Sequence, residues 1–280
     1  MGNFKKKCLV LKAGFQETVS DKRMLLVLLI IGFILDNGVR CMVRNAIQVE
    51  QPLGIFEGFI MCINHWYYLI VFLLGYIVML TGIPRLDSGQ LFLIYRIGKK
   101  NWIIGEIFQI AFSSLVYVLL LLLGCIISVA KYSYIGNVWS NFTVDYKALY
   151  EELLSDGNRF IDQQVFKYYL PYQTVIHGIL LLILCMTLMG TIVIFFYIID
   201  HKLIGIVINS LIILSVLIFN ERRMGLMWVS PFCHSVLALH NVYVYKQMSV
   251  PLYWSYLYLG ALEVLMVGLT SWKLKKKMFY

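Results

Sequence analysis

Long uncharged runs constrain this chain more than any other feature. Trp66–Ile83, Phe108–Ala130 and Leu203–Phe219 contain no charged side chain. Tyr172–Ile199 carries one imidazole, His177, and Leu252–Trp272 carries one acid, Glu263. A helix rises 1.5 Å per residue, so about 20 apolar residues cross a hydrocarbon core of about 30 Å. A sixth run, Met24–Val43, opens with MLLVLLIIGFIL and then meets Asp36 and Arg40. Those two lie four apart, acid first, placed to pair on one helix face or to sit at the outer interface. A globular core cannot absorb this much apolar surface: 60% of the 280 residues are hydrophobic and 14% charged, against about 45–50% and about 25% in soluble domains. The sequence therefore predicts an all-α integral membrane protein with six transmembrane helices, at about 24–43, 66–83, 107–130, 173–199, 203–219 and 252–272.

The net charge of +9 would suit nucleic acid if it formed one face. Instead, fifteen of the 24 Lys and Arg fall in four places: residues 1–23, Pro84–Asn101, Asp200–Lys202 and the last eight residues. Basic residues concentrate on the cytoplasmic side of short loops, and they favour anionic lipid there. Both termini and 84–101 are expected in the cytoplasm, and 131–171 outside. The chain divides into 1–23 and a six-span domain over 24–280. No cleaved signal peptide is expected, because the first apolar run begins only at Met24.

In 1–23, Phe4, Cys8, Leu11, Phe15 and Val19 recur at spacings of three and four, with Lys5, Lys6, Lys12 and Glu17 off the stripe. That pattern predicts an amphipathic helix lying on the cytoplasmic membrane face. In 131–171, VDYKALYEELLSDGN reads as a helix closed by Gly157 and NRFIDQQVFKYYL as a second one begun by Asn158. Such a small helical cap either packs over the outer ends of the spans or touches a substrate. Asn141-Phe142-Thr143 fits a glycosylation sequon, a pattern frequent by chance.

Catalytic patterns are missing. There is no G-x-x-x-x-G-K-[ST] phosphate loop, no H-E-x-x-H and no C-x-x-C, so the chain is not read as an enzyme, and no metal site is expected. The six cysteines are scattered and read as small apolar filler. His234 and His240, six apart, would not share one helix face. Gly54 and Gly58 make a G-x-x-x-G outside any clean span, which weakens a dimerisation reading. Glu263 stands mid-way along the last run, where a charge costs about 2.5–3.5 kcal/mol on insertion scales. It either lines a polar path or is a buried carboxyl hydrogen-bonded to a neighbouring span.

Leu86–Ile97 offers Leu91, Phe92, Ile94 and Tyr95 beside Arg85, Asp87 and Arg96. An amphipathic helix of this kind docks in a groove of a cytosolic partner or rests at the headgroups. The segment Tyr95-Arg96-Ile97-Gly98-Lys99-Lys100-Asn101-Trp102-Ile103-Ile104-Gly105-Glu106-Ile107 resembles R-x-G-[RK]-x-x-W-x-x-G-[QE]-[IL] of type-2 ABC exporter permeases. The similarity is to the small Gram-positive branch related to peptide-antibiotic and lantibiotic export or immunity. Ser230-Pro231-Phe232 resembles that branch's S-P motif before the last span. The resemblance implies paired permeases, the second identical or homologous, driven by separate cytosolic ATPase subunits that bring ATP and Mg; this chain itself would hold no cofactor. It implies ATPase coupling through Arg85, Asp87, Leu91, Tyr95, Arg96, Gly98 and Lys99. It implies an extracellular gate near 225–240, with Ser230, Pro231 and His234, and export of an amphipathic or hydrophobic cargo such as a peptide, antibiotic or lipid. A secondary transporter, which would show midplane charge pairs or repeated halves, and a non-transporting scaffold are the alternatives.

Overall fold

The structure is a computed structural model that describes residues 10–16, 18, 20–83, 94–149, 160–222, 225–240 and 250–276, with backbone alone at 146–149, 216–222, 225, 226 and 276. It is an assembly of helices, in keeping with the apolar runs. Helix α1 (Arg23–Ile34) continues through a π turn (Leu35–Val39) into α2 (Arg40–Gln48). Asp36 and Arg40 form an exposed ion pair along this stretch, the i, i+4 pairing expected from their spacing. Helix α3 (Glu57–Asn64) and α4 (Trp66–Leu80) meet at 81°. His65, extended at φ −87° and ψ 116°, makes that corner.

Helix α5 (Lys99–Val129) runs for 31 residues. Two short helices follow, α6 (Asn141–Leu149) and α7 (Gln163–Tyr168). Helix α7 begins later than expected: Asp162 caps it, its carboxylate accepting from Gln164 N at 3.0 Å. The expected cap Asn158 and the stop at Gly157 lie outside the described residues. Helices α8 (Pro171–Ile198), α9 (Lys202–Arg222) and α10 (Leu252–Lys276) complete the set. Pro171 opens α8 at the position where its missing N–H costs nothing. Between α9 and α10 the described chain is broken into 3₁₀ turns at Gly225–Val229, Cys233–Ser235 and Leu237–Leu239.

Four helical stretches are long and apolar enough to cross a membrane: Arg23–Gln48, Lys99–Tyr132, Pro171–Ile198 and Leu252–Lys275. The bent pair α3 and α4 is a fifth if taken as one span, and Lys202–Ser215 is a shorter apolar helix. The protein is therefore a membrane protein built of α-helices. Leucines on the outer faces, such as Leu25, Leu29, Leu203 and Leu265, are more than half exposed, as lipid-facing side chains are.

Two ends of the bundle can be told apart by their packing. At one, Val10, Ile83, Ile94, Ile97, Trp102, Ile103, Ile198 and Leu274 form one cluster, so the described residues nearest both termini share an end. At the other, a two-residue strand β1 (Leu53–Gly54) pairs in parallel with β2 (Ser133–Tyr134). Gly54 and Gly58 serve intrachain packing there. A Cβ on Gly58 would meet Val129 and Val39 at 3.0 Å, and one on Gly54 would meet Glu57 at 2.9 Å.

The N-terminal helical stretch, 10–16, packs on α5 rather than facing lipid alone. Val10 and Gly14 are its buried residues, while Leu11 and Phe15 are only half-buried. The expected stripe is thus rotated by about one residue. Small contacts decide this: a Cβ on Gly105 would lie 2.6 Å from Val10 Cβ, and one on Gly14 would strike Gln109. Phe4, Cys8 and Val19 lie outside the described residues.

Candidate functional sites at the two ends of the bundle

At the Val10–Leu274 end, a short helix over 94–97 stops at Gly98. Gly98 has φ +86° and ψ 145°, and its carbonyl receives the N–H of Trp102 at 3.1 Å, so it also starts α5. That backbone region is close to glycine-only. Ile94 and Ile97 are buried, whereas Tyr95 is 74% exposed and Arg96 is exposed too. Of the apolar set Leu91, Phe92, Ile94 and Tyr95, the two described members, Ile94 and Tyr95, thus fall on opposite sides. Ile94, read as partner-facing, is an anchor instead, because a single turn cannot turn i and i+1 the same way. Lys99 is half-buried beside this turn. Arg85, Asp87 and Leu91 lie outside the described residues. Trp102 is fully buried, Gly105 admits Val10, and Glu106 is 3% exposed. The W-x-x-G-E part of the motif therefore seats α5 against the N-terminal stretch.

In the middle of the bundle, Glu263 Oε2 accepts from Thr191 at 3.1 Å across the α8–α10 contact. Its Oε1 is buried with no partner among the described residues, as is Asn209 Oδ1. Asn209 itself donates to Met189 O at 2.8 Å. Nearby helices carry further polar ties: Tyr76 to Ser114 at 2.8 Å and Tyr117 to Phe72 O at 2.8 Å. Among the described residues, no group of three or more His, Cys, Asp or Glu is arranged to hold a metal.

The opposite end holds two polar constellations that sequence reasoning did not assemble. In the first, Glu57 opens α3 and is fully buried. Its Oε1 accepts from Ser140 N at 2.7 Å, and its Oε2 from Ser140 Oγ at 2.6 Å and Thr143 Oγ1 at 2.9 Å. Ser140 is also the N-cap of α6, its Oγ accepting from Thr143 N at 3.2 Å. One carboxylate thus sits at the N-termini of both α3 and α6, where backbone dipoles favour negative charge. Burial still holds the Glu57 carboxyl above its usual 4.5, with the Ser140 and Thr143 bonds pulling the other way. Nothing in a mixed loop such as LGIFEGF marks its acid as buried. The Ser-x-x-Thr spacing at 140–143 did offer an N-cap signal.

In the second, the three 3₁₀ turns fold back on the start of α10. Ser230 is buried, 3.2 Å from Ser215 Oγ, and Pro231 is half-buried beside it. His234 reaches Trp228 O through Nε2 at 2.8 Å and Ser255 Oγ through Nδ1 at 2.7 Å. His240 reaches Val236 O through Nδ1 at 2.9 Å and the same Ser255 Oγ through Nε2 at 2.6 Å. Six residues apart, the two rings would diverge on a helix. Val236, extended at φ −96° and ψ 110°, interrupts the turns and lets both rings converge on one hydroxyl. Asn64 of α3 fixes the stretch from below, accepting from Ala238 N at 3.1 Å. No family model, curated protein or solved structure matches this chain.

Proposed function

We propose that this chain is the membrane-spanning permease subunit of an ATP-driven ABC exporter, moving an amphipathic or hydrophobic cargo such as a peptide, antibiotic or lipid. Energy comes from separate cytosolic ATPase subunits carrying ATP and Mg, and a second permease, identical or homologous, completes the path. The reading takes six spans, with α4 as the second span, α3 outside it and α9 as the fifth. Both termini and 84–101 are cytoplasmic. The basic-residue bias supports this orientation, and so does the sharing of one end by Val10, Ile97, Ile198 and Leu274. At the other end, the turns over 225–240 and the start of α10 are the gate, with Ser230, Pro231 and His234.

The observation that carries the reading is the 94–98 turn. Its Ile94 and Ile97 are rooted in the bundle, its Tyr95 and Arg96 face outward, and Gly98 joins it directly to α5. A docked ATPase pushing on Tyr95 and Arg96 would thereby move a whole span. Arg96 offers a planar two-pronged contact that Lys cannot copy. Purified from its own cells in mild detergent, the wild type should bring down an ATPase with a phosphate loop. Arg96→Glu and Tyr95→Asp should lose it at unchanged membrane abundance. Full retention by both variants would refute the reading. Glu263, with one oxygen unpartnered among the described residues, favours a secondary transporter as the alternative. In that case uptake or efflux would follow an ion gradient with no ATPase attached.

A further inference from the structure

The pair of imidazoles around Ser255 poses a proton-counting problem. Four contacts of hydrogen-bond length join five groups: Trp228 O, His234, Ser255, His240 and Val236 O. Carbonyl oxygens only accept, so His234 Nε2 and His240 Nδ1 must both carry protons. If both imidazoles are neutral, His234 Nδ1 and His240 Nε2 are then bare lone pairs. Both point at one hydroxyl, and that hydroxyl has a single proton to give. Two neutral rings and one serine supply three protons for four contacts. The fourth contact closes only if one ring carries an extra proton.

The surroundings suit a cation. The ring of Tyr258 stacks on His234 at 4.2 Å, and Trp228 lies 5.2 Å from His234 and 5.3 Å from His240. Aromatic faces attract a delocalised cation at such distances. Tyr258 is itself fixed, its hydroxyl donating to Val229 O at 2.6 Å. The nearest other titratable groups along the chain are Cys233, beside His234 in the same turns, and Tyr256, beside Ser255, which pairs with His177 of α8 at 2.9 Å. Among the described residues, no carboxylate, lysine or arginine interacts with either ring.

We propose that His234, Ser255 and His240 form a proton-binding site at this end of the bundle, which ties the 225–240 stretch to α10 completely only while one extra proton is held. The tie spans two parts of the chain: both carbonyls belong to 228–236, whereas Ser255 belongs to α10. Without the extra proton, one ring must let go of Ser255. Burial sets where the proton enters. It lowers both imidazoles from 6.5, His240 to about 4, with the Trp228 and Val236 carbonyls opposing. Uptake therefore falls on the acid side of the ordinary histidine value. The sign for the whole fold is the reverse of that for the tie. Between pH 6.5 and about 4, unfolded histidines bind protons that the folded ones resist, so acid completes this contact while costing global stability. The site is independent of any transport reading.

The test uses the full chain in lipid nanodiscs, with all five histidines ring-labelled with ¹⁵N, titrated from pH 8 to pH 4. Signals are assigned from His234→Gln and His240→Gln. The expected result is uptake of a single proton by the pair: one ring becomes doubly protonated and the other keeps one bare nitrogen. Ser255→Ala should lower that affinity by about tenfold, one pH unit in the midpoint, and Ser255→Thr should restore it. Any of three outcomes would overturn the proposal. The first is that both rings stay neutral down to pH 4. The second is that both protonate independently in the wild type, and the third that Ser255→Ala titrates as the wild type does.

Discussion

Replacing Glu57 separates its acceptor role from its charge. In Glu57→Ala, Ser140 N–H loses its acceptor at 2.7 Å, and the Ser140 and Thr143 hydroxyls lose the carboxylate at 2.6 and 2.9 Å. Leaving a buried donor unpaired costs about 1–3 kcal/mol, and removing one side of a buried charged network about 3–5 kcal/mol. In Glu57→Gln, the amide oxygen keeps Ser140 N–H, and the amide N–H₂ faces hydroxyls that can rotate to accept. The loss of charge-assisted bonds is offset by no longer burying a charge, so the net cost is within about 1 kcal/mol. Heating detergent-solubilised protein and measuring the monodisperse fraction by size-exclusion chromatography ranks the three. At about 2–4 °C per kcal/mol for domains of 150–250 residues, the Ala variant should melt on the order of 10 °C lower and Gln within a few degrees. The pH series adds a sign. Because the folded carboxyl is raised above 4.5, its contribution grows as pH falls through the raised value toward 4.5 and is lost as pH rises through it. The melting-point difference between wild type and Gln should therefore move in the wild type's favour on mild acidification; taking the difference removes the histidine contribution, which both proteins share. An Ala variant as stable as the wild type, or a Gln variant as damaged as Ala, would refute this account of Glu57.

Gly98→Ala should cost about 1–3 kcal/mol, read as a lower melting point, through backbone strain alone, since nothing lies within 4 Å of its would-be Cβ. Gly190→Ala drives a Cβ to 2.4 Å from Ile110 Cγ2 and should destabilise by about 1–3 kcal/mol. Adding Ile110→Ala should recover part of that in a thermal-shift measurement, and no recovery would mean that α5 and α8 do not meet there. Glu263→Gln keeps an acceptor for Thr191 and should leave assembly nearly unchanged and, on the exporter reading proposed above, transport as well. A large transport loss with normal assembly would make Glu263 part of the path.

Legibility followed the physics of each interaction. The apolar runs were readable because lipid demands length and composition together, and the Asp36–Arg40 pair because helical spacing alone brings it about. Helix α5 was readable only from its apolar part; its start at Lys99 depends on Gly98 adopting a positive φ, which sequence permits but does not require. The face of the N-terminal stretch came out rotated because Gly14 and Gly105 allow a close approach, which a hydrophobic stripe does not encode. Glu57 and the His234–Ser255–His240 group were hidden for a common reason. Each draws partners from segments 15 to 86 residues apart in the chain, and its members look ordinary where they stand.

The length of α5 has a mechanical consequence. At 1.5 Å per residue, its 31 residues make a rod of about 46 Å with a glycine joint at one tip. Rotating that rod by about 5° at Gly98 would sweep its far tip through about 4 Å, more than the width of a hydrogen bond. That tip carries Val129, against which Gly58, one residue from Glu57, packs so closely that a Cβ there would lie 3.0 Å from it. On the exporter reading proposed above, a small angular input at the Tyr95–Arg96 end would be geared up into a displacement large enough to disturb the contacts of Ser140.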